Sequence, residues 1–392
     1  MISEFREIAC TISNTHVKKW KENGGAVIGY PCTFIPDEII HAAGILPFRL
    51  RGVGTTSLSI GDTYFGPVIC SFPKCILQLA GQGEYSFLDG AIIINGCDSM
   101  RRLDECWRKA GEDYQGTLPG FFHYMGVPHK ITDYSIAWYE DEIRVLIAKI
   151  EEYFKVKITK TALKKSIKLY NGGRNLLIEL DEMRASRDVP VTGEEATAIM
   201  LAGFAMPREE YTELLKKTID KLKKQPSAVT PDHTKRIMIV GSTSDDLDFI
   251  RLIEESGCTV VADTMCFGSR SYSDLADENG DPVSSLARRY LSHKFCPRMF
   301  GCYKDRLSYI MGMAKKAAVD GVILQNIRFC DLHGSENGIF ERDLEEQGIP
   351  CMRMEREYGP LVETGRIKMR VDAFMERIDK KTGTRFKVQG TR

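Results

Sequence analysis

One apolar run and the residues after it set the architecture of this chain: Ala91-Ile92-Ile93-Ile94-Asn95-Gly96-Cys97-Asp98. The run is short and uninterrupted, as central strands of parallel sheets are. A helix is predicted from 98 to 108, so a strand, a cysteine and a helix follow one another directly. Ligands of open α/β sheets bind at the carboxyl ends of strands. Cys97 is therefore predicted to lie at a ligand-binding edge.

Two more cysteines share this context. Cys330 follows the apolar segment 321–329, and Cys32 stands in Gly29-Tyr30-Pro31-Cys32. Thiolates on several strand-end loops can converge on one soft metal centre, and an iron–sulfur cluster is the leading interpretation. The alternative is that these cysteines are small buried apolar residues.

Aspartates come directly after two of these cysteines, as Asp98 and Asp331. We predict that they cap the helices that follow. That placement would put each thiol at a helix N-terminus, where the dipole favours the thiolate.

The composition excludes several classes of protein. The chain has 392 residues, 43% of them hydrophobic and 28% charged, which is typical of a soluble globular protein with two or three domains. Lys+Arg and Asp+Glu both number 54, so neither a nucleic acid nor a membrane surface is a predicted partner. No signal peptide and no membrane-spanning run is visible. A cytoplasmic location, where the twelve cysteines stay reduced, is expected.

Two α/β segments flank a helical one. Strands that alternate with helices imply parallel sheets. The predicted fold class is α/β, with two doubly wound parallel-sheet, Rossmann-like domains. Residues 1–150 form the first domain, 151–231 a helical connector and 232–392 the second domain.

Two other site types fit the sequence less well. The turn Gly241-Ser242-Thr243-Ser244 follows a predicted strand, but it matches neither nucleotide-binding fingerprint, so ATP binding is not predicted. Cys70 and Cys75 have a spacing that suits zinc, yet they lie on a predicted helix and no second pair accompanies them.

A loop after the strand at 258–263 is a candidate substrate site. It presents Ser269 and Arg270, and an arginine on such a loop suits a carboxylate, a thioester or a phosphate. Alternatively, Arg270 pairs with one of the nearby acids.

At this point the chain resembles a known family. Residues 29–47 read Gly29-Tyr-Pro-Cys-Thr-Phe-Ile-Pro-Asp-Glu-Ile-Ile-His-Ala-Ala-Gly-Ile-Leu-Pro47, which is similar to the opening motif of the 2-hydroxyacyl-CoA dehydratase family. That family includes the smaller catalytic subunits of benzoyl-CoA reductase. Further matches follow in order, among them Cys97-Asp-Ser-Met-Arg101, Ala262-Asp-Thr-Met-Cys-Phe-Gly-Ser-Arg270, Cys296-Pro297 and Phe329-Cys-Asp331. The resemblance covers about residues 24–378, and Cys75 and Met369 depart from the family pattern.

The resemblance implies a [4Fe-4S] cluster between the two domains, held by Cys32, Cys97 and Cys330. The fourth iron would be left for water, substrate or another ligand. Cys70 or Cys75 could close that position, which would make the chain a non-catalytic partner subunit.

The implied chemistry is one-electron reduction of an acyl-CoA thioester to a ketyl radical. In a 2-hydroxyacyl-CoA dehydratase the radical expels the C2 hydroxyl, and in a benzoyl-CoA reductase the electrons stay in the ring. The resemblance also implies a homologous second subunit or a second copy, and a separate ATP-dependent iron–sulfur activator. Candidate catalytic residues are Glu38, His41 and Ser71, and candidate substrate-binding residues are Ser269 and Arg270.

Two alternatives remain open. One is an electron-transfer or scaffold subunit. The other is a reductase of small molecules with a double-cubane [8Fe-9S] cluster, which needs more converging thiols from among Cys70, Cys75, Cys266 and Cys302. The acyl group, and the choice between dehydratase and ring reductase, cannot be predicted from the sequence.

Overall fold

A computed structural model describes residues 1–226, 234–359 and 363–389, with side chains up to residue 380. The strands are β1 (Val27–Tyr30), β2 (Leu46–Arg49), β3 (Gly90–Ile94), β4 (Phe121–Met125), β5 (Lys235–Gly241), β6 (Cys258–Thr264), β7 (Gly321–Ile327) and β8 (Cys351–Arg356). The helices are α1 (Ile2–Cys10), α2 (Thr15–Glu22), α3 (Asp37–Ala42), α4 (Gly61–Tyr64), α5 (Ser71–Gly81), α6 (Asp98–Asp113), α7 (Asp133–Phe154), α8 (Lys160–Ala185), α9 (Gly193–Ala202), α10 (Arg208–Leu222), α11 (Leu247–Glu254), α12 (Pro282–Leu291), α13 (Tyr303–Lys316), α14 (Asp331–Glu346) and α15 (Thr364–Gln389).

The strands form two four-stranded parallel sheets with the same topology. Their orders are β2-β1-β3-β4 and β6-β5-β7-β8. In each sheet, the second strand in chain order pairs with one side of the first strand, and the third strand pairs with its other side. Each sheet therefore has a topological switch point beside its first strand, where ligands of open α/β sheets bind. This arrangement confirms the predicted α/β class with two parallel sheets.

The strand predicted at 91–94 is buried on both faces. Ala91 and Ile93 pack in one hydrophobic cluster, whereas Ile92 and Ile94 pack in another. Successive side chains point to opposite faces of a sheet, so a strand covered on both sides is apolar throughout. β3 accordingly has a neighbour on each side in its sheet.

Three short strands of the first sheet were not predicted. β1 and β2 are only four residues long, and β2 contains Pro47. Proline is tolerated there because β2 is an edge strand that pairs only with β1. β4 is the opposite edge strand, and its middle residues are only partly buried. None of the three carries the uninterrupted apolar run that marks β3.

Helices α8 and α9 touch both halves of the molecule. α8 packs on α3 and on β6, and α9 packs on α1 and on α11. Arg184 of α8 is buried and donates to Asp263 Oδ2 at 3.1 Å. The domain limits stay a prediction, and most of the predicted linker 225–231 lies outside the described residues. Among the described helices, none is long and apolar enough to span a bilayer.

Candidate thiol-rich site between the two sheets

The three predicted cysteines follow strands beside the two switch points. Cys32 and Cys97 come shortly after the neighbouring strands β1 and β3, and Cys330 comes shortly after β7. The loops after β1 and β3 are in contact, since a Cβ built on Gly96 would lie 3.4 Å from Cys32 Sγ. Phe329, just before Cys330, has a left-handed backbone with φ of 62°, unusual for a bulky residue.

These three partly buried thiols lie near one another. Burial, and then repulsion from the thiolates of Cys70, Cys330 and Cys32, raises the pKa of Cys97 well above its ordinary value. Repulsion of this kind requires that the sulfurs lie near one another. Strand-end loops from both sheets therefore converge.

Three further thiols, those of Cys70, Cys266 and Cys296, lie near this group. Burial, followed by repulsion from Cys266 and Cys296, raises the pKa of Cys32 to about 12. Burial, followed by repulsion from Cys70 and Cys296, raises the pKa of Cys330 to about 12. We call the six residues Cys32, Cys70, Cys97, Cys266, Cys296 and Cys330 the thiol cluster.

Cys296 was not predicted as a site residue. It follows α12 in an irregular segment rather than a strand, so the strand-end criterion does not find it. Its one sequence signal is the match of Cys296-Pro297 to the family pattern.

Buried arginines surround the thiol cluster. Arg49, at the end of β2, donates to Cys266 Sγ at 2.7 Å and to the Cys266 carbonyl at 2.9 Å. Burial opposes the Cys266 thiolate, but the guanidinium groups of Arg49 and Arg270 outweigh it and lower the pKa of this thiol. Arg298 faces Cys32 and Cys296, and carbonyls such as that of Pro128 hold it in place. Arginine stays charged in proteins, so this pocket favours anionic sulfur.

The predicted caps at Asp98 and Asp331 are wrong. Each aspartate is the first residue of its helix, and the preceding Cys97 or Cys330 occupies the cap position without a side-chain hydrogen bond. The N–H of Met100, in the first turn of α6, favours the Cys97 thiolate. The cysteines thus stand at helix N-termini, as expected, and the aspartates add negative charge in the first turn.

Glu38 belongs to a buried charge network next to α3. It accepts from Arg174 Nη2 at 2.5 Å and from Tyr290 OH at 2.6 Å. Burial opposes its ionisation, but Arg174 and Arg289 more than compensate and lower its pKa to about 2. The same Tyr290 oxygen also lies 2.6 Å from Asp37 Oδ1, and burial and Glu38 raise the pKa of Asp37.

His41 lies one turn further along α3 and points toward the helical segment. Its Nδ1 is 2.9 Å from Ser166 Oγ, and its Nε2 is 3.1 Å from Glu209 Oε1. These two contacts link α3 to helices α8 and α10 rather than to the thiols.

Ser71, Cys75 and Cys302 also have structural partners. Ser71 Oγ donates to Glu357 at 2.8 Å and accepts from the Tyr358 N–H at 2.8 Å. Cys75 Sγ lies 3.7 Å from the Tyr358 carbonyl, and burial raises its pKa to about 12. Cys302 Sγ lies 3.9 Å from the Phe300 carbonyl. Ser71 follows Cys70 in the chain, and Cys75 interacts electrostatically with Cys70, so both lie next to the thiol cluster.

The loop at 269–270 faces the thiols from the second sheet. Ser269 Oγ donates to the Asp263 carbonyl at 2.5 Å. Arg270 donates to the Gly241 carbonyl at 2.8 Å, and its Nε is buried without a partner. Its charge favours the thiolates of Cys266, Cys296 and Cys330. The predicted role of both residues in substrate binding stays a prediction.

The donors of the thiol cluster are of the type that soft metal centres use. Among the residues that the structure describes, no three His, Cys, Asp or Glu side chains are grouped to hold one metal ion. A lone zinc needs its thiolates close together, because each Zn–S bond is only about 2.3 Å long. An iron–sulfur cluster attaches each thiolate to a different iron, so its ligands can be more widely spaced. Partly buried thiols beside guanidinium groups are compatible with such a cluster, because a metal deprotonates a coordinating thiol.

The fold and the thiols define the chain as an α/β protein with two parallel sheets and a group of cysteines on the loops that follow their strands. The family described as 2-hydroxyglutaryl-CoA dehydratase, D-component, matches residues 32–378. The chain belongs to this family.

Relatives of this chain match it over nearly its whole length. The (R)-phenyllactyl-CoA dehydratase beta subunit of Clostridium sporogenes is 27% identical over 91% of this chain and 92% of its own length. One of the benzoyl-CoA reductase subunits of Thauera aromatica is 30% identical over 86% of this chain and 87% of its own. The (R)-2-hydroxyglutaryl-CoA dehydratase subunit beta of Acidaminococcus fermentans is 21% identical over 92% and 95%. All three are subunits of larger enzymes.

Proposed function

We propose that this chain is the iron–sulfur subunit of an enzyme that acts on an acyl-CoA thioester, as a 2-hydroxyacyl-CoA dehydratase or a benzoyl-CoA reductase does. Cys32, Cys97 and Cys330 hold a [4Fe-4S] cluster in this proposal. The observation that carries it is the convergence of partly buried strand-end thiols from both sheets beside buried arginines. The names of the relatives support the substrate class.

The cluster, when bound, supplies a low-potential electron to the thioester. The chain's own residues contribute the environment. Arg49, Arg270 and Arg298 offset the negative charge of the thiolates, and burial excludes water from the pocket. The resemblance to the family implies a separate ATP-dependent iron–sulfur activator as the electron donor, and the relatives' names suggest a second subunit.

The test is electron paramagnetic resonance of the anaerobically purified, dithionite-reduced protein, with iron and sulfide counted per chain. We expect about four irons and a spectrum that changes when an acyl-CoA is added. Four irons without a change for any acyl-CoA would favour the electron-transfer or scaffold subunit. Absence of iron after anaerobic reconstitution would overturn the proposal.

A second candidate is favoured by the number of thiols. Cys70, Cys266 and Cys296 interact with the three predicted ligands, so six thiols share the pocket. A double-cubane [8Fe-9S] centre would use such a larger set, and the chain would then reduce small molecules. About eight irons per chain, and loss of iron in a Cys266→Ala variant, would select this candidate.

A further inference from the structure

Two of the edge strands, β2 and β6, are covered by other parts of the chain. On β2, the N–H of Arg49 points away from the sheet and donates to the Phe204 carbonyl at 2.9 Å. On β6, the N–H of Val260 donates to Glu254 Oε1 at 3.1 Å, and its carbonyl accepts from Arg184 Nη2 at 3.3 Å. Groups far away in the sequence thus satisfy the outward main chain of both strands, as buried peptide groups require.

The edge strand β8 is covered in the same way, by helix α15. Arg377 donates to the Cys351 carbonyl at 3.0 Å, and Arg370 donates to the Arg353 carbonyl at 2.5 Å. An uncovered edge invites pairing with another chain, and proteins prevent this with such covers, with charged residues or with proline.

The edge strand β4 has none of these protections. Phe121 N donates to the Asp89 carbonyl, toward β3, so the main chains of Phe122 and Tyr124 point away from the sheet. In the part of the chain that the structure describes, no group hydrogen-bonds to either of these main chains. None of the five residues of β4 is Asp, Glu, Lys, Arg or Pro. β4 therefore presents an open edge.

An exposed apolar stripe on α7 runs along this edge. Four large hydrophobic side chains on one side of α7 are exposed, namely Tyr134, Trp138, Val145 and Tyr153. Trp138 lies 3.3 Å from a Cβ built on Gly126, directly after β4. Tyr153 packs on Phe121, at the start of β4, with ring centroids 5.2 Å apart. A contiguous exposed apolar surface of this kind marks an interaction site.

The charges of α7 suit an antiparallel pair of this helix. Residues 133–142 include four acidic residues and no basic one, whereas residues 144–157 include four basic residues and two acidic ones. In an antiparallel pair, the acidic half of each helix lies beside the basic half of the other. Opposite charges across an interface favour association and fix its register.

We propose that β4 pairs antiparallel with β4 of a second copy of this chain, about a two-fold axis at His123, so that the two four-stranded sheets become one continuous sheet. Phe122 of each copy then exchanges two hydrogen bonds with Tyr124 of the other, which satisfies the outward main chain of both strands. The two α7 helices lie on the same face of the joined sheet, with their apolar stripes across the axis from each other. This inference goes beyond the proposed function and needs no metal.

His123 supports the position of the axis. Its Nε2 is buried and lacks a hydrogen-bond partner among the described residues. Burial, together with the charges of Lys149 and Arg108, lowers its pKa, so the ring is neutral at pH 7. A neutral imidazole has one donor and one acceptor, so two His123 rings that meet at the axis can share a hydrogen bond.

The first test is analytical ultracentrifugation of the full, anaerobically purified chain over a range of concentrations. We expect a dimer with twice the 44.2 kDa mass of one chain. Val145→Asp should raise the dissociation constant about tenfold or more, because it places a carboxylate in an apolar contact of both copies. The matched control is Ile339→Asp, at an exposed β-branched residue of another helix, α14, and it should dimerise like the unaltered chain.

Hydrogen–deuterium exchange is the second measurement, and it depends on no variant. The N–H groups of Phe122 and Tyr124 should be protected in the dimer and should exchange rapidly once dilution separates the copies. The N–H of Phe121, which is bonded within the sheet, should stay protected in both states.

Three outcomes would overturn the inference: a monomer at every concentration, a dimer in which the N–H groups of Phe122 and Tyr124 exchange rapidly, or a dimer that Val145→Asp and Ile339→Asp affect equally. The first outcome would leave the edge of β4 to a different subunit. The other two would place the contact between copies elsewhere on the molecule.

Discussion

The two sheets have the same strand order but carry different residues at their switch points. In the first sheet, cysteines follow both β1 and β3, which are neighbours. In the second sheet, the loop after β5 starts with Ser242, and the thiols follow β6 and β7 instead. One position is shared, since Cys97 and Cys330 both stand after the third strand of their sheet, at the start of a helix. The same topology therefore gives the two sheets equivalent loop positions, but the two halves carry different residues at most of them.

The largest effect is expected at the shared position. Cys97→Ser and Cys330→Ser should each lose most of the bound iron, because either substitution removes one of three thiolates that we propose as ligands. The measurement is iron per chain after anaerobic reconstitution. Cys258→Ser, a buried cysteine of β6 outside the thiol cluster, is the control and should retain its iron. Unequal losses at Cys97 and Cys330 would break the proposed equivalence.

The buried ion pairs of the two halves should differ in strength. Arg174 pairs with Glu38, which is fully buried and has a pKa of about 2, whereas Arg356 pairs with Asp246, whose pKa burial raises. Arg174→Met should lower the free energy of unfolding by about 3–5 kcal/mol, since it leaves a buried charge unpaired. Arg356→Met should cost about 1–3 kcal/mol, because Asp246 takes up a proton more easily. Urea denaturation measures both, and equal costs would contradict this difference.

The contact between β2 and the loop after β6 should control the reactivity of Cys266. Arg49→Met removes the guanidinium that lowers the pKa of this thiol, so less thiolate is present at pH 7. Alkylation of Cys266 by iodoacetamide in the metal-free chain should slow, because the thiolate is the form that reacts. Mass spectrometry gives the rate, and the exposed Cys10 of the same sample serves as the control. An unchanged rate would show that Arg49 does not activate the thiol.

A buried histidine beside Arg270 should make stability depend on pH. Burial, reinforced by Arg270 and Arg289, lowers the pKa of His293 well below 6.5. The unfolded chain therefore binds the proton first as the pH falls. The contribution of His293 to stability is complete above about pH 6.5 and declines below it, by at most about 1.4 kcal/mol per pH unit, and His333, whose pKa burial and Arg270 also lower, adds a decline of its own. Urea unfolding at pH 7.5 and 5.5 tests this.

The matched variants for that measurement are His293→Gln and His16→Gln. His293→Gln should flatten the decline, whereas His16→Gln, at a histidine that pairs with Glu210, should not. A decline of the same size in His293→Gln would assign it to other groups.

The smallest effect is expected at the aspartates that follow the shared cysteines. Asp98→Asn and Asp331→Asn each remove a negative charge from the first turn of a helix. Such a charge contributes about 0.3–1 kcal/mol through the helix dipole. Thermal unfolding at low ionic strength should show a similar small loss of stability in both variants. A loss in only one variant would show that the two halves are not equivalent at this position.

The sequence by itself determined the parts of this protein that depend on local pattern. The apolar runs at 91–94 and 321–327 are strands, the segments after them are helices, and the cysteines between lie at the carboxyl ends. These outcomes follow from periodicity and from the rule that parallel strands end at a common edge.

Only the tertiary structure decided which distant groups meet. Cys296 and Arg49 belong to the site because α12 and β2 end there, and neither residue follows a strand that the sequence predicts. The structure also decided the N-caps of α6 and α14. Each helix begins at its aspartate, so the cysteine before it occupies the cap position. The physical reason is that strand order, burial and the pairing of charges arise from contacts between residues far apart in the chain, which no short stretch of sequence encodes.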